Sequence, residues 1–209
     1  FRVLEHFNSY ARREDVDLST SMRLGAVIES DVGYEAHAQT SAVWNRGFVM
    51  VQVDANGALD STRTRAGVTV VSQNIDRHTL ILHAEGGLLT NPMPGREFDP
   101  WLEQRGPRLF GIHDFTGTRM TWFVLEDRIL AVDDILGLLA LGVAPFVDYG
   151  GAWYSDEPPR QGGNAGVSLR FGPTRAVRGE ATELAFGYRF GQGVKGKPWG
   201  ISLRQGFSF

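Results

Sequence analysis

The C-terminal residues 199–209 alternate between large apolar side chains and small or polar ones, and this pattern is the strongest constraint on the fold. The first set comprises Trp199, Ile201, Leu203, Gln205, Phe207 and Phe209. The second set comprises Gly200, Ser202, Arg204, Gly206 and Ser208. Because successive side chains of a β-strand point to opposite faces, the pattern predicts a strand with one apolar and one polar face.

Two preceding segments, Ala165–Phe171 and Leu184–Gly191, repeat this alternation, and each has one arginine among its small residues. A soluble barrel fills its interior with bulky apolar residues, whereas a membrane barrel turns them towards lipid and keeps small and polar residues inside. The sequence therefore favours an antiparallel transmembrane β-barrel. A soluble β protein is the alternative.

Weaker alternation predicts further strands in the remainder of the chain. They lie near residues 1–8, 22–29, 33–43, 49–56, 65–70, 79–87, 121–128 and 139–153. With the three C-terminal segments they give about eleven strands in one all-β domain over residues 1–209. No apolar run reaches the length of about 20 residues that a membrane helix needs.

The stretch 88–118 is the longest predicted connection and contains four prolines. Loops of this length in a compact domain are usually functional. If the strands alternate in direction, this loop lies at the same end as the connections 56–62, 155–163 and 192–198. For a periplasmic C-terminus that end is extracellular.

Composition and motifs argue against several other classes of function. The chain has no cysteine, and its net charge of −3 comes without a strongly basic tract, which disfavours nucleic acid as a partner. The five histidines show no metal-ligand spacing, and there is neither a Gly-x-Ser-x-Gly motif nor a phosphate loop. We therefore expect no enzymatic activity, no cofactor and no metal.

Motifs in the second half of the chain resemble those of the BamA/TamA superfamily, the bacterial surface antigen family. The segment Phe146-Val147-Asp148-Tyr149-Gly150 is similar to the family's inward Phe-x-Asp-x-Gly motif, and Leu125-Glu126-Asp127-Arg128 resembles its Leu-Glu-x-Arg strand end. Leu109-Phe110-Gly111-Ile112 lies where the family places Val/Leu-Arg-Gly-Tyr/Phe at the tip of its sixth loop.

The two ends of the chain add to the resemblance. Phe207 and Phe209 resemble the aromatic C-terminal signal that directs such barrels to the outer membrane, and Arg13-Glu14-Asp15 followed by Leu18 resembles an early element of the barrel. Members have sixteen strands, so the chain would cover the last two thirds of a barrel. In an antiparallel sheet of eleven strands the first and last strands run parallel to each other. Such a sheet cannot close on itself by ordinary antiparallel pairing. The missing strands would come from an N-terminal part of the same chain or from another chain.

The resemblance implies a bacterial outer-membrane protein that inserts or exports other proteins without a cofactor. Its partners would be outer-membrane lipid and client outer-membrane or secreted proteins. A passive pore, or a membrane anchor for an upstream domain, is the alternative.

The loop motif departs from the family at two positions. The family's arginine is Phe110 here, and its aromatic residue is Ile112. Asp148 would then lack its usual charge partner, for which Arg108 and Arg119 are candidates. On this basis Phe110→Arg is predicted to restore a contact with Asp148.

Two inward carboxylates, Glu126 and Asp148, are singled out by the pattern. They belong either to a specific lumen network or to a generic polar lining. The network would include Arg128, Arg170, Arg189 and Arg204.

Overall fold

A computed structural model describes residues 2–5, 13–28, 32–58, 60–173 and 181–205. Within these ranges the chain forms twelve strands, and no helix there is long and apolar enough to cross a membrane. The strands are β1 (Arg2–Glu5), β2 (Arg13–Val16), β3 (Ser21–Ile28), β4 (Val32–Trp44), β5 (Gly47–Ala58), β6 (Thr62–Ser72), β7 (His78–Thr90), β8 (Arg119–Ile135), β9 (Leu139–Trp153), β10 (Gly162–Pro173), β11 (Thr182–Gly191) and β12 (Trp199–Gln205).

Strands β3 to β12 form one antiparallel sheet in which each strand pairs with its neighbours in the sequence. The all-β, antiparallel fold is thus confirmed. The sheet has ten strands and is not closed, while β1 and β2 pair only with each other. The predicted eleven strands are not confirmed, because β1 lies outside the main sheet and β2 was not predicted as a strand.

The connections of the main sheet differ in length at its two ends. One end, the turn end, includes the short turns at residues 45–46 and 136–138. The other, the loop end, has the connections 91–118, 154–161 and 192–198, as the alternation predicted. The two other long connections at this end both lie on the β9–β12 side of the longest one.

The two faces of the sheet differ in chemistry. The outward face carries large apolar side chains that are exposed, such as Phe186 at 52% and Leu203 at 69%. The inward face carries buried polar and charged side chains, including Glu126 at 0% and Arg170 at 2%. The prediction that the apolar face points away from the protein interior is confirmed.

Two segments cover parts of the inward face. The loop 91–118 folds back onto it, and its Phe98, Phe110 and Phe115 pack in a cluster with Met120 and Trp122 of β8. Nearer the turn end, residues just before β3 cover a second apolar cluster. Val16 and Leu18 pack there against Phe48, Met50, Val71 and Ile81.

Candidate functional site

Arg108, in the long loop, makes three hydrogen bonds to one carboxylate of the sheet. Its Nε donates to Asp148 Oδ2 (2.8 Å), one terminal nitrogen donates to Asp148 Oδ1 (3.0 Å), and its backbone N–H also donates to Oδ2 (3.1 Å). Such a bidentate arrangement fixes the orientation of both groups as well as their distance. The loop is therefore held to β9 in one defined position.

The same guanidinium reaches two further strands. It donates to Glu126 Oε2 of β8 (2.7 Å) and to Glu183 Oε1 of β11 (2.8 Å), and it lies 3.9 Å from the ring centre of Phe146. Its side chain is 2% exposed. Although burial by itself disfavours the charged form, the three carboxylates raise the pKa of Arg108 well above its usual range.

Glu126 links this contact to two more arginines. Its Oε1 accepts hydrogen bonds from Arg128 Nε (2.6 Å) and from a terminal nitrogen of Arg170 (3.1 Å). All these side chains are almost completely buried. We call the set Arg108, Glu126, Arg128, Asp148, Arg170 and Glu183 the ion network. A buried carboxylate is tolerated when charged donors satisfy it in this way.

The convergence of these side chains shows that the sheet curves around its inward face. Neighbouring strands lie about 4.8 Å apart, so β8 and β11 are separated by roughly 14 Å along the sheet. Glu126 and Glu183 nevertheless contact the same guanidinium. The loop segment at Arg108 therefore lies in the hollow of a curved sheet.

The strand register explains which residues face this hollow. Glu126 pairs with Phe146, and Val124 pairs with Asp148, so alternate residues of β8 and β9 share the inward face.

Gly150, which ends the Phe-x-Asp-x-Gly segment, is packed tightly. A Cβ atom there would lie 2.2 Å from the carbonyl oxygen of Thr121, so no side chain fits.

A second group of ion pairs attaches the loop to β6 and β7. Glu103 bonds Arg63 and lies 3.6 Å from Arg65, while Arg105 bonds Glu85. The sequence analysis did not predict these contacts. They join residues far apart in the sequence, and local alternation carries no signal for such pairs.

Position 110 supplies no charge partner for Asp148, and of the two substitutes that the sequence offered, Arg108 takes that place. Phe110 packs with Phe115 at a ring-centre distance of 5.0 Å in the apolar cluster, so Phe110→Arg has no missing contact to restore. The other candidate, Arg119, is exposed and lies on the outward face of β8. Of these two candidates, Arg108 is the one that contacts Asp148.

The remaining loop-motif residues differ in their surroundings. Leu109 is buried and packs with Phe146 and Ala185, whereas Ile112 is half-exposed. The backbone N–H of Gly111 donates to Asp114 Oδ2 (2.7 Å). The motif thus buries two apolar side chains, Leu109 and Phe110, and leaves Ile112 half-exposed.

The sequence left two hypotheses for Glu126 and Asp148, a specific network or a generic polar lining. The geometry supports the specific network. It contains Arg128 and Arg170, whereas Arg189 donates to the carbonyl oxygen of Lys197 (2.6 Å) instead. Arg204 pairs in register with Glu183 at the edge of the network. The sequence analysis did not identify Glu183. This residue lies on the same inward face of β11 as Ala185, one residue before the segment that was predicted as a strand.

Phe207 and Phe209, the predicted C-terminal signal, lie outside the described residues. No protein-family model matches the sequence, and neither the curated proteins nor the solved structures gave a significant match.

Proposed function

We propose that this chain is the C-terminal part of a bacterial outer-membrane β-barrel that inserts or translocates other proteins, as the resemblance to the BamA/TamA superfamily implies. The observation that carries the proposal is the reversed polarity of the sheet. Ile201 is 72% exposed on the outward face while Glu126 is fully buried on the inward face. In water this arrangement exposes large apolar side chains to solvent, which is unfavourable. In a bilayer it places the same side chains in hydrocarbon.

The open edges of the sheet support additional strands in the assembled barrel. Unpaired backbone groups are costly in lipid, and β3 and β12 each pair on one side only within the described residues. Ten is an even number, so β3 and β12 run antiparallel to each other, and about six further strands would give the sixteen of the family. These strands would come from the same chain or from another.

The position of the loop supports the assembly function over a simple pore. In the family, the loop arginine reaches the Phe-x-Asp-x-Gly strand, and here Arg108 reaches Asp148 from a position two residues before Phe110. On this proposal Arg108 makes the contact of the family arginine from a position two residues earlier in the loop.

A fractionation experiment tests the membrane assignment. We expect the full-length protein to stay with outer membranes until detergent is added, and to migrate faster on gels before boiling than after it. A protein that is released without detergent and shows no heat-dependent shift is a soluble β protein, and the proposal fails.

An insertion assay tests the assembly function. Proteoliposomes containing the protein should speed the folding of a urea-denatured eight-stranded outer-membrane protein relative to empty liposomes. Arg108→Ala should lose this effect, while Arg160→Ala, an exposed residue of the β9–β10 connection, should retain it. A correctly inserted barrel that gives no acceleration is a passive pore or anchor.

A further inference from the structure

One polar pair lies on the outward face of the sheet, among the large apolar side chains. Asp127 of β8 and His78 of β7 are on this face, because their sequence neighbours Glu126 and Thr79 are the buried, inward residues. Nδ1 of His78 lies 2.8 Å from Oδ2 of Asp127, and the two side chains are 31% and 30% exposed. Among the described residues of β3–β12 that pair in register, Asp127 is the one carboxylate on the outward face.

The pair offers hydrogen-bond acceptors to a further donor. An ionised carboxylate only accepts hydrogen bonds, so Nδ1 of His78 carries the proton in the bond to Asp127. In a neutral imidazole the second nitrogen, Nε2, is then an acceptor. Within the part of the chain that the structure describes, Asp127 forms no ion pair with an arginine or a lysine. The outward face therefore carries a negative charge that no cationic side chain of these residues neutralises by contact.

The two connections beside the pair are acidic as well. Segments 73–77 and 130–138 contain Asp76, Asp133 and Asp134 but one basic residue, Arg77. Arg77 is already paired with Asp133 at 2.9 Å. The surroundings of Asp127 thus attract cationic groups and repel anionic ones.

The height of the pair on the sheet matches the inner boundary of a membrane. Asp127 lies eight residues from Arg119, which begins β8 at the loop end, and His78 is the first residue of β7 after the turn. At about 3.4 Å per residue the distance along β8 is about 27 Å. A strand tilt of about 40° reduces it to about 21 Å across the bilayer, close to the apolar band of about 25 Å in such barrels. With Arg119 at the extracellular boundary, the pair lies at the level of the inner-leaflet headgroups.

Apolar side chains continue from the pair towards the loop end. Leu80 pairs in register with Asp127, and Leu125 and Phe123 follow on the outward face of β8. These three side chains are 45%, 39% and 36% exposed. The surface is therefore polar at the level of headgroups and apolar at the level of acyl chains.

We propose that His78 and Asp127 bind the headgroup of an inner-leaflet phospholipid that carries a primary ammonium group; this rests on the proposed barrel. The ammonium donates its N–H groups to the carboxylate of Asp127 and to Nε2 of His78, while the acyl chains lie along Leu80 and Leu125. Charge-assisted hydrogen bonds are strong where lipid excludes water.

This chemistry makes the site selective among phospholipids. A trimethylated ammonium, as in phosphatidylcholine, has no N–H group to donate. The headgroup of phosphatidylglycerol carries only negative charge, which the acidic surroundings repel. The site therefore prefers phosphatidylethanolamine to both.

Native mass spectrometry of the full-length protein in detergent tests the preference. With equal amounts of dioleoyl phosphatidylethanolamine, phosphatidylcholine and phosphatidylglycerol, the wild type should retain phosphatidylethanolamine about tenfold more tightly than the other two. Asp127→Asn should lose about tenfold in this affinity, since the amide has no charge. Asp156→Asn is the matched control, because it removes the same charge from an exposed residue of the β9–β10 connection, and it should retain the affinity.

Photo-crosslinking in proteoliposomes tests the position. Phosphatidylethanolamine with a diazirine near the carbonyl end of one acyl chain should crosslink to peptides that contain Leu80 or Leu125. Asp127→Asn should lower the yield in these peptides and leave the rest of the crosslinking pattern as it is in Asp156→Asn.

Two results overturn the lipid site while leaving the barrel intact. The first is equal retention of the three lipids by the wild type, which needs no variant to fold. The second is a folded Asp127→Asn protein, as judged by the heat-dependent gel shift, that retains and crosslinks phosphatidylethanolamine like Asp156→Asn. A wild-type protein that stays in solution without detergent and shows no gel shift refutes the proposed function itself.

Discussion

A guanidinium can bind several carboxylates at once because its N–H donors lie in one plane and point in different directions within it. Arg108 uses this geometry fully, with Nε and one terminal nitrogen on Asp148 and further donors on Glu126 and Glu183. A lysine at the same place has one ammonium group, which cannot reach these positions together. The site therefore requires arginine and not only a positive charge.

We predict that Arg108→Ala lowers the free energy of unfolding by about 3–5 kcal/mol, because removing one partner leaves buried carboxylates uncompensated. Arg108→Lys should fall between the wild type and the alanine variant. Urea unfolding in detergent, followed by the heat-dependent gel shift, measures both. If Arg108→Ala unfolds at the same urea concentration as the exposed control Arg160→Ala, the ion network does not stabilise the protein.

Strands were predictable from the sequence where one face is uniformly apolar. β10, β11 and β12 show this alternation directly, so their type and inward parity followed from the sequence. β2 was not predictable in this way, since Arg13–Val16 has no apolar period.

The partner of Asp148 could not be decided from the sequence because a loop has no periodic pattern. Arg108 and Asp148 are 40 residues apart, and Arg108 and Glu183 are 75 apart. Which arginine reaches the carboxylates depends on the path of the loop across a curved sheet. That path is set by tertiary packing, for example of Phe98 and Phe110, and not by local sequence.

A row of glycines makes close contact possible between β10, β11 and β12. Gly166, Gly187 and Gly200 are paired in register on the inward face. A Cβ atom on Gly187 would lie 2.4 Å from the carbonyl oxygen of Ala165, which is closer than any real contact. β10 and β11 therefore depend on glycine at this row, whereas a Cβ atom on Gly200 of β12 would lie 3.2 Å from Leu109 of the loop.

We predict that Gly187→Ala destabilises the protein by about 1–3 kcal/mol through overpacking. Gly86→Ala on β7 is the matched control, because the nearest atom to its added Cβ would be 3.9 Å away. The urea midpoint of Gly187→Ala should fall below that of the control. Equal midpoints for the two variants would show that the row tolerates a side chain.

The outward apolar side chains form a band that is inclined to the register rows. From Ile201 on β12, the pairing leads across the sheet to Trp44 on β4, whereas Leu24 on β3 pairs with Ala36. Measured on β4, the band thus moves from position 44 to position 36, which is about 27 Å along the strand. It does so over nine strand spacings, which together span about 43 Å across the sheet. This corresponds to a slope of roughly 32°, close to the strand tilt of about 35–45° in outer-membrane barrels.

If the slope is the tilt of strands in a bilayer, membrane depth follows the band and not the register. Spin labels on single-cysteine variants can measure this depth by their accessibility to oxygen and to a water-soluble nickel complex. Ile201→Cys and Leu24→Cys should lie at the same depth although they are eight residues apart in register. Met22→Cys and Thr121→Cys share one row, five strands apart, and should differ in depth by about 13 Å. Equal depths for this second pair would mean that the strands are not tilted in the membrane, and labels that all report water would exclude a bilayer.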